Sequence, residues 1–203
     1  HMPALHKQPD VELVAFCDII QERAVKAAKD FGTPDAKVYT DYKELLKDES
    51  IQVVHVLTPN IDHSYITVDA LYAGKHVMCE KPMATTPEDC EAMVAAAKAA
   101  GKFLMIGQNQ RLAKAHVKAR EIIASGEMGK VITFETHFAH PGPEGWTGVR
   151  DSWFFDKKVA SFGVMADLGV HKTDLIHYLT GKKMKKINNS AAWDDNLGGV
   201  DIK

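Results

Sequence analysis

The strongest constraint on this chain is the alternation of its first half. Between residues 11 and 106, short β-branched runs are separated by longer stretches with helical spacing. The runs cover 11–17, 51–57, 76–79 and 103–106. Strands alternating with helices are the pattern of βαβ units around a parallel sheet. The runs are nearly continuous in apolar residues, which predicts strands buried on both faces. Helices are expected over 21–31, just after Asp41, over 62–73 and over 87–100, with Gly32, Gly74 and Gly101 as stops. The last of these also carries a start signal, with Thr86 as N-cap, Pro87 in the first turn, and Glu88 and Asp89 placed to favour the helix dipole.

The 203 residues carry 25 basic and 27 acidic side chains, a formal charge of −2. A nucleic-acid binder needs clustered surplus Lys and Arg, so no nucleic-acid partner is expected. With 45% hydrophobic and 26% charged residues the chain forms a core and is not disordered. No window is apolar enough to span a membrane, and no signal core follows the N-terminus, so a soluble, cytoplasmic protein is expected. Cys17, Cys79 and Cys90 are too few and too scattered for a disulfide framework or a zinc knuckle, and read as small apolar side chains.

After Gly107 the texture changes. A helix over 113–125 leads to a run at 131–138 with strict alternation, the mark of a half-exposed strand. Residues 140–162 are rich in Gly, Pro and aromatics and too long for a simple connection, which points to a functional loop. A second amphipathic helix is expected over 163–179 and a strand over 184–193. The fold class is therefore α/β, a Rossmann-like doubly wound parallel sheet over 1–110, followed by a partial α+β domain over 111–203 with an open, mainly antiparallel sheet.

Four positions could carry chemistry. Asp18 closes the first apolar run. An acid there can accept hydrogen bonds from both ribose hydroxyls of an adenosine and repel a 2′-phosphate, or it can be an ordinary turn or cap residue. Thr58-Pro59-Asn60-Ile61-Asp62-His63 lies between a strand and a helix, where α/β sheets bind ligands and where a plain capped turn would also fit. Glu80-Lys81-Pro82 follows the third run. Proline restricts Lys81 to extended backbone, which aims it either at a substrate oxygen as proton donor or, on the surface, at Glu80. Asp167 and His171 stand one helical turn apart with Asp174 beyond, so a carboxylate could orient an imidazole as general base. The same pair could be structural or could begin a metal site, but no His or Cys cluster supplies further ligands, and no metal is expected.

Together the strand-terminal Asp18, the Thr58-Pro59-Asn60-x-x-His63 turn, the Glu80-Lys81-Pro82 triplet and the Asp167-x-Gly169-x-His171 helix resemble the Gfo/Idh/MocA oxidoreductases, over nearly the whole chain. That resemblance implies an N-terminal Rossmann domain and an α+β domain that shapes the substrate pocket and forms the interface of a homo-oligomer. It implies NAD(H) or NADP(H) as cofactor, NAD being favoured by Asp18 on the adenosine ribose, with Thr58, Pro59, Asn60 and His63 lining the cofactor cleft and Glu80 and Lys81 near the nicotinamide ribose. Lys81 would hold the reacting oxygen, His171 would be the acid/base and Asp167 would orient or support them. The substrate implied is a sugar or polyol oxidised at a secondary alcohol. In the 140–162 loop Trp146, Arg150, Asp151, Trp153 and Phe154 are candidates for substrate selection, since flat rings stack on sugar faces while Arg and Asp bind hydroxyls.

The sequence departs from the family pattern in two places. Where members carry a run of glycines before the Asp-x-Gly-x-His motif, this chain has Ser161-Phe162-Gly163. Residues 1–17 contain no glycine. The expectation is thus of a chain that starts after the glycine-rich turn and stops within the second domain's sheet. That leaves open a catalytically silent oligomerisation or ligand-binding fragment, an NAD-dependent glycosidase of the same family, and a metal-dependent lyase.

Overall fold

The computed structural model describes residues 1–148 and 152–186. The chain runs α1 (Met2–Leu5), β1 (Ala15–Cys17), α2 (Gln21–Phe31), β2 (Lys37–Tyr39), α3 (Tyr42–Leu46), β3 (Val53–Val56), α4 (His63–Tyr72), β4 (His76–Cys79), α5 (Pro87–Ala100), β5 (Leu104–Ile106) and α6 (Lys114–Ser125). Short helices α7 (Glu144–Thr147) and α8 (Lys157–Ala160) follow, then a π-helical turn, Met165–Gly169, running into α9 (Val170–Thr180).

β1 and β2 pair in parallel, Ala15 opposite Lys37 and Cys17 opposite Tyr39. A second sheet has the order β3-β4-β5. Its ladder bonds climb in the same sense along both chains: Val77 N–H donates to Phe103 O, and further up Gly107 N–H donates to Cys79 O. The parallel, open α/β arrangement expected from the alternation is therefore present, a Rossmann-like sheet with helical crossovers.

The residues divide into two compact units that are not consecutive in sequence. The first holds 1–56, 65–78 and 92–104; the second holds 57–64, 79–91 and the described residues from 105 on. Phe16, Leu45, Val56, Leu71, Val77 and Met93 form the core of the first, with Leu71 and Met93 wholly buried. Leu168, Leu175 and Leu179, from the π turn and α9, are buried in the second.

The strands differ from expectation in two ways. All but β4 are shorter; in β1 the carbonyls of residues 13 and 14 go to Thr33 and Lys37 before the regular ladder starts. Nor are they buried on both faces: Val53 is 51% and Met105 52% exposed. The α2 stop differs in kind from the others, for Gly32 is extended at φ −78° while Gly74 and Gly101 have positive φ. Strand β2 was not expected, since three residues are too short to show a period.

Beyond Ile106 no described residue forms a strand. The alternating run at 131–138 lies without a ladder, with Ile132 91% exposed. A strand exists only where a neighbour takes its N–H groups, and most of the expected neighbour at 184–193 lies outside the described residues. The 140–162 loop, read as irregular, contains α7, a 3-10 turn at Trp153–Phe155 and α8. No helix among the described residues is long and apolar enough to cross a membrane.

Candidate active site

The site is built where β4 ends. The bond from Gly107 N–H to Cys79 O, 2.8 Å, ties the ends of β4 and β5 together, and the chain then turns through Glu80-Lys81-Pro82. The Lys81–Pro82 peptide is cis. The Glu80 carboxylate accepts the backbone N–H of Lys81 at 3.0 Å and lies against Gly107, where a Cβ would stand 2.8 Å from Glu80 Oε1. Glycine at 107 leaves room for that carboxylate.

The Lys81 ammonium is drawn in from the surface. Its Nζ donates to Asp167 Oδ1 at 2.5 Å and to Asp167 O at 3.0 Å, and the two side chains are 15% and 21% exposed. Removing one partner would strand the other charge in a half-dry site, which is the costly way to break such a pair.

Asp167 sits within the π-helical turn, a local widening that often marks functional positions. Its other oxygen, Oδ2, is 3.4 Å from His140 Nε2. The Asp167 carboxylate faces Lys81 and His140, and it acts on His171 only through its charge. The π turn breaks the i, i+4 register between Asp167 and His171.

His171 lies in the first turn of α9 and is 8% exposed. Its Nδ1 is buried with no hydrogen-bond partner. The Phe138 ring meets it edge-on at 5.9 Å, and Lys172 Nζ lies 4.8 Å from the centre of the same ring. Burial, and then the positive charge of Lys81, hold the imidazole below its ordinary value, against smaller opposing pulls from Glu80, Asp167 and Asp174. Asp174 is held by the Arg111 guanidinium.

The 58–63 turn divides by role. His63, 1% exposed, has Nδ1 2.7 Å from Pro82 O and Nε2 2.9 Å from Thr58 O. Asn60 Nδ2 donates to Ala160 O at 2.8 Å. Both side chains hold backbone carbonyls, those of Ala160, Pro82 and Thr58. Thr58 Oγ1 is buried and unpartnered, as is Gln108 Oε1 just past β5. Unpartnered buried polar atoms are rare and mark where a ligand or ordered water would bond.

In the first unit Asp18 ends β1, with Oδ1 accepting the N–H of Ile20 at 2.8 Å. It makes a turn and does not cap α2, whose N-cap is Ile20. The remaining lone pairs of the carboxylate keep acceptor capacity. Trp153 stacks on Phe154, ring centres 3.9 Å apart. Arg150, Asp151 and the side chain of Trp146 lie outside the described residues.

The sequence therefore brings Lys81, Asp167 and His171 into one unit with Thr58, Asn60, His63 and Glu80. Three neighbours were missed. Phe138 was one residue of an alternating run, and Gln108 followed a strand without a motif. His140 carried a signal that could have been used, a histidine directly before Pro141-Gly142 in a loop already singled out. Among the described residues no three His, Cys, Asp or Glu side chains are grouped to hold a metal.

Comparison with known proteins divides the chain in sequence order. Residues 1–108 match a family model described as "Oxidoreductase family, NAD-binding Rossmann fold", and residues 116–201 match the GFO/IDH/MocA C-terminal domain. The levoglucosan dehydrogenase of Pseudarthrobacter phenanthrenivorans is 33% identical over 164 residues, 79% of this chain and 40% of its own length. The inositol 2-dehydrogenase of Salmonella typhimurium is 34% identical over 180 residues, 87% of this chain and 49% of its own. Among solved structures, a levoglucosan dehydrogenase in complex with NADH and levoglucosan superposes with a TM-score of 0.71 at 31% identity, covering 84% of this chain and 46% of that one. The chain thus spans about half the length of the relatives it matches.

Proposed function

Because the chain belongs to the GFO/IDH/MocA family of oxidoreductases, we propose that it carries the proton-handling half of a dehydrogenase acting on a secondary alcohol of a sugar or polyol, with NAD as the cofactor. The observation that carries the reading is the Lys81–Asp167 pair at 2.5 Å, in the same unit as a buried His171 held below its ordinary value.

Bound NAD would supply the acceptor for the hydride of the alcohol carbon. The chain must take the hydroxyl proton and steady the oxygen as charge grows on it. Burial keeps His171 uncharged near neutral pH, which is the form a general base needs. The Lys81 ammonium, fixed by Asp167, supplies a positive charge beside the oxygen in a site of low dielectric. The unpartnered Nδ1 of His171 and Oγ1 of Thr58 fit bound polar groups. Thr58, Pro59 and Glu80 in the second unit are assigned to the cofactor, with Asn60 and His63 supporting that backbone. Asp18, taken by itself in the first unit, is assigned the ribose hydroxyls, which favours NAD over NADP. Trp153 is assigned to the sugar face. Assembly into a homo-oligomer through the second domain belongs to the same reading, on the resemblance alone.

The test is turnover by the full-length protein on a panel of cyclic polyols and aldoses, followed by the absorbance of reduced cofactor. Lys81→Ala and His171→Ala should each lower kcat/KM about 10²-fold or more. Wild-type turnover in both variants would overturn the role assignments.

A further inference from the structure

We propose that His140 is a positioning residue for the Lys81–Asp167 pair: it occupies the second oxygen of Asp167 and so fixes the carboxylate that aims the lysine. The inference deepens the reading above and rests on it for its kinetic part only. Nothing in the motifs pointed to His140, and it enters from the geometry of the second unit.

Asp167 is a shared carboxylate. Oδ1 holds Lys81 Nζ at 2.5 Å, while Oδ2 faces His140 Nε2 at 3.4 Å. The other side of the His140 ring decides what its nitrogens can do. Nδ1 accepts the backbone N–H of Gly142 at 3.0 Å. An imidazole nitrogen that accepts carries no proton, so the ring is neutral and its hydrogen lies on Nε2, the atom facing Asp167.

The turn that sets this tautomer admits little variation. Gly142 has φ +104°, which side chains rarely adopt, and a Cβ there would lie 2.5 Å from a Glu144 carboxylate oxygen. The Gly142 N–H is therefore held where His140 needs it.

The chemical consequence concerns direction rather than charge. The ammonium is also held by the Asp167 carbonyl, so what the carboxylate decides is the direction of its second bond. A carboxylate whose other oxygen meets a ring N–H, even at 3.4 Å, has less room to rotate about its terminal bond. His140, 25% exposed, supplies that contact without adding a second positive charge that would compete with Lys81 for Asp167. Misplacement of a catalytic group by about 1 Å can cost about 10²-fold in rate.

Two isosteric replacements separate the role from mere packing. In His140→Gln the amide N–H reaches the place of Nε2. In His140→Asn the side chain can still accept from Gly142 but falls short of Asp167. In the full-length protein, His140→Ala and His140→Asn should lower kcat about tenfold with little change in KM, and His140→Gln should restore most of the loss. In an Asp167→Asn background, His140→Ala should have no further effect, since the interaction is already gone. Equal loss in Gln and Asn, or effects that multiply with Asp167→Asn, would overturn the proposal.

A second measurement does not need turnover. Nitrogen-15 spectra of the histidine side chains should show His140 protonated on Nε2 and bare on Nδ1, with the Nε2 proton signal moved by Asp167→Asn. A proton on Nδ1 instead would overturn the proposal. If the wild type oxidises no polyol while this signature is present, the proposed function fails and the His140–Asp167 contact stands.

Discussion

At the residue scale the site depends on how three side chains share charge. His171 is buried, and the imidazolium form suffers both from lost hydration and from Lys81. The residue therefore stays neutral to a pH below the ordinary histidine value, and the acid limb of the pH–rate profile should fall below about 6.5. Replacing the ammonium in Lys81→Gln removes one of the two lowering causes. The His171 midpoint, read from its ring-proton NMR signal, should move upward, and an unmoved or lower midpoint would show that the lysine charge is not felt. The same shift has a stability sign. As pH falls from about 6.5 towards the folded midpoint, the unfolded chain binds a proton that the folded His171 refuses, so the protein loses stability across that window. Legibility at this scale was mixed. Lys81, Asp167 and His171 were visible as residue types with suitable chemistry, but their partners were not. Nor did the sequence show that the turn side chains Asn60 and His63 hold the carbonyls of Ala160, Pro82 and Thr58.

The elements show where local rules suffice. Helix α5 runs over Pro87–Ala100 as its Thr86 signal and Gly101 stop require, and β4 covers the four residues, three of them apolar, read as a strand. Both follow from nearest-neighbour terms, namely capping, propensity and an apolar run. The π turn at Met165–Gly169 follows no such term, because one extra residue per turn leaves no period in five residues. Just before it, Ser161 has φ +65°, a backbone shape that glycine takes freely and serine does not. It closes α8, whose last carbonyl, that of Ala160, is held by Asn60. Ser161→Gly should therefore raise stability by about 1 kcal/mol, seen as a higher midpoint in urea at unchanged slope. A lower midpoint would mean that the Ser161 side chain contributes more than its backbone strain costs.

At the scale of the whole molecule the chain is divided by contact rather than by order. Residues 57–64 and 79–91, which carry the Thr58 turn and the Glu-Lys-Pro triplet, belong with the described residues from 105 on and not with the segments beside them in sequence. The cofactor assignment is tested at this scale, since it asks what the full-length enzyme prefers. Asp18→Ala should cut the preference for NAD over NADP, read as a ratio of kcat/KM values, by about tenfold or more, the worth of a charged hydrogen bond and of a lost repulsion. An unchanged ratio would remove Asp18 from the ribose site. The sequence by itself determined the alternation of strand and helix, the caps and stops, the near-neutral charge and the residue types available for chemistry. All of these depend on composition or on residues a few positions apart. Only the tertiary structure decided that Lys81 pairs with Asp167, 86 residues away, that His140 comes within 3.4 Å of the other oxygen, and that His63 serves the backbone. Contacts between residues so far apart have no period and no neighbour preference, and they are set by how the chain returns upon itself.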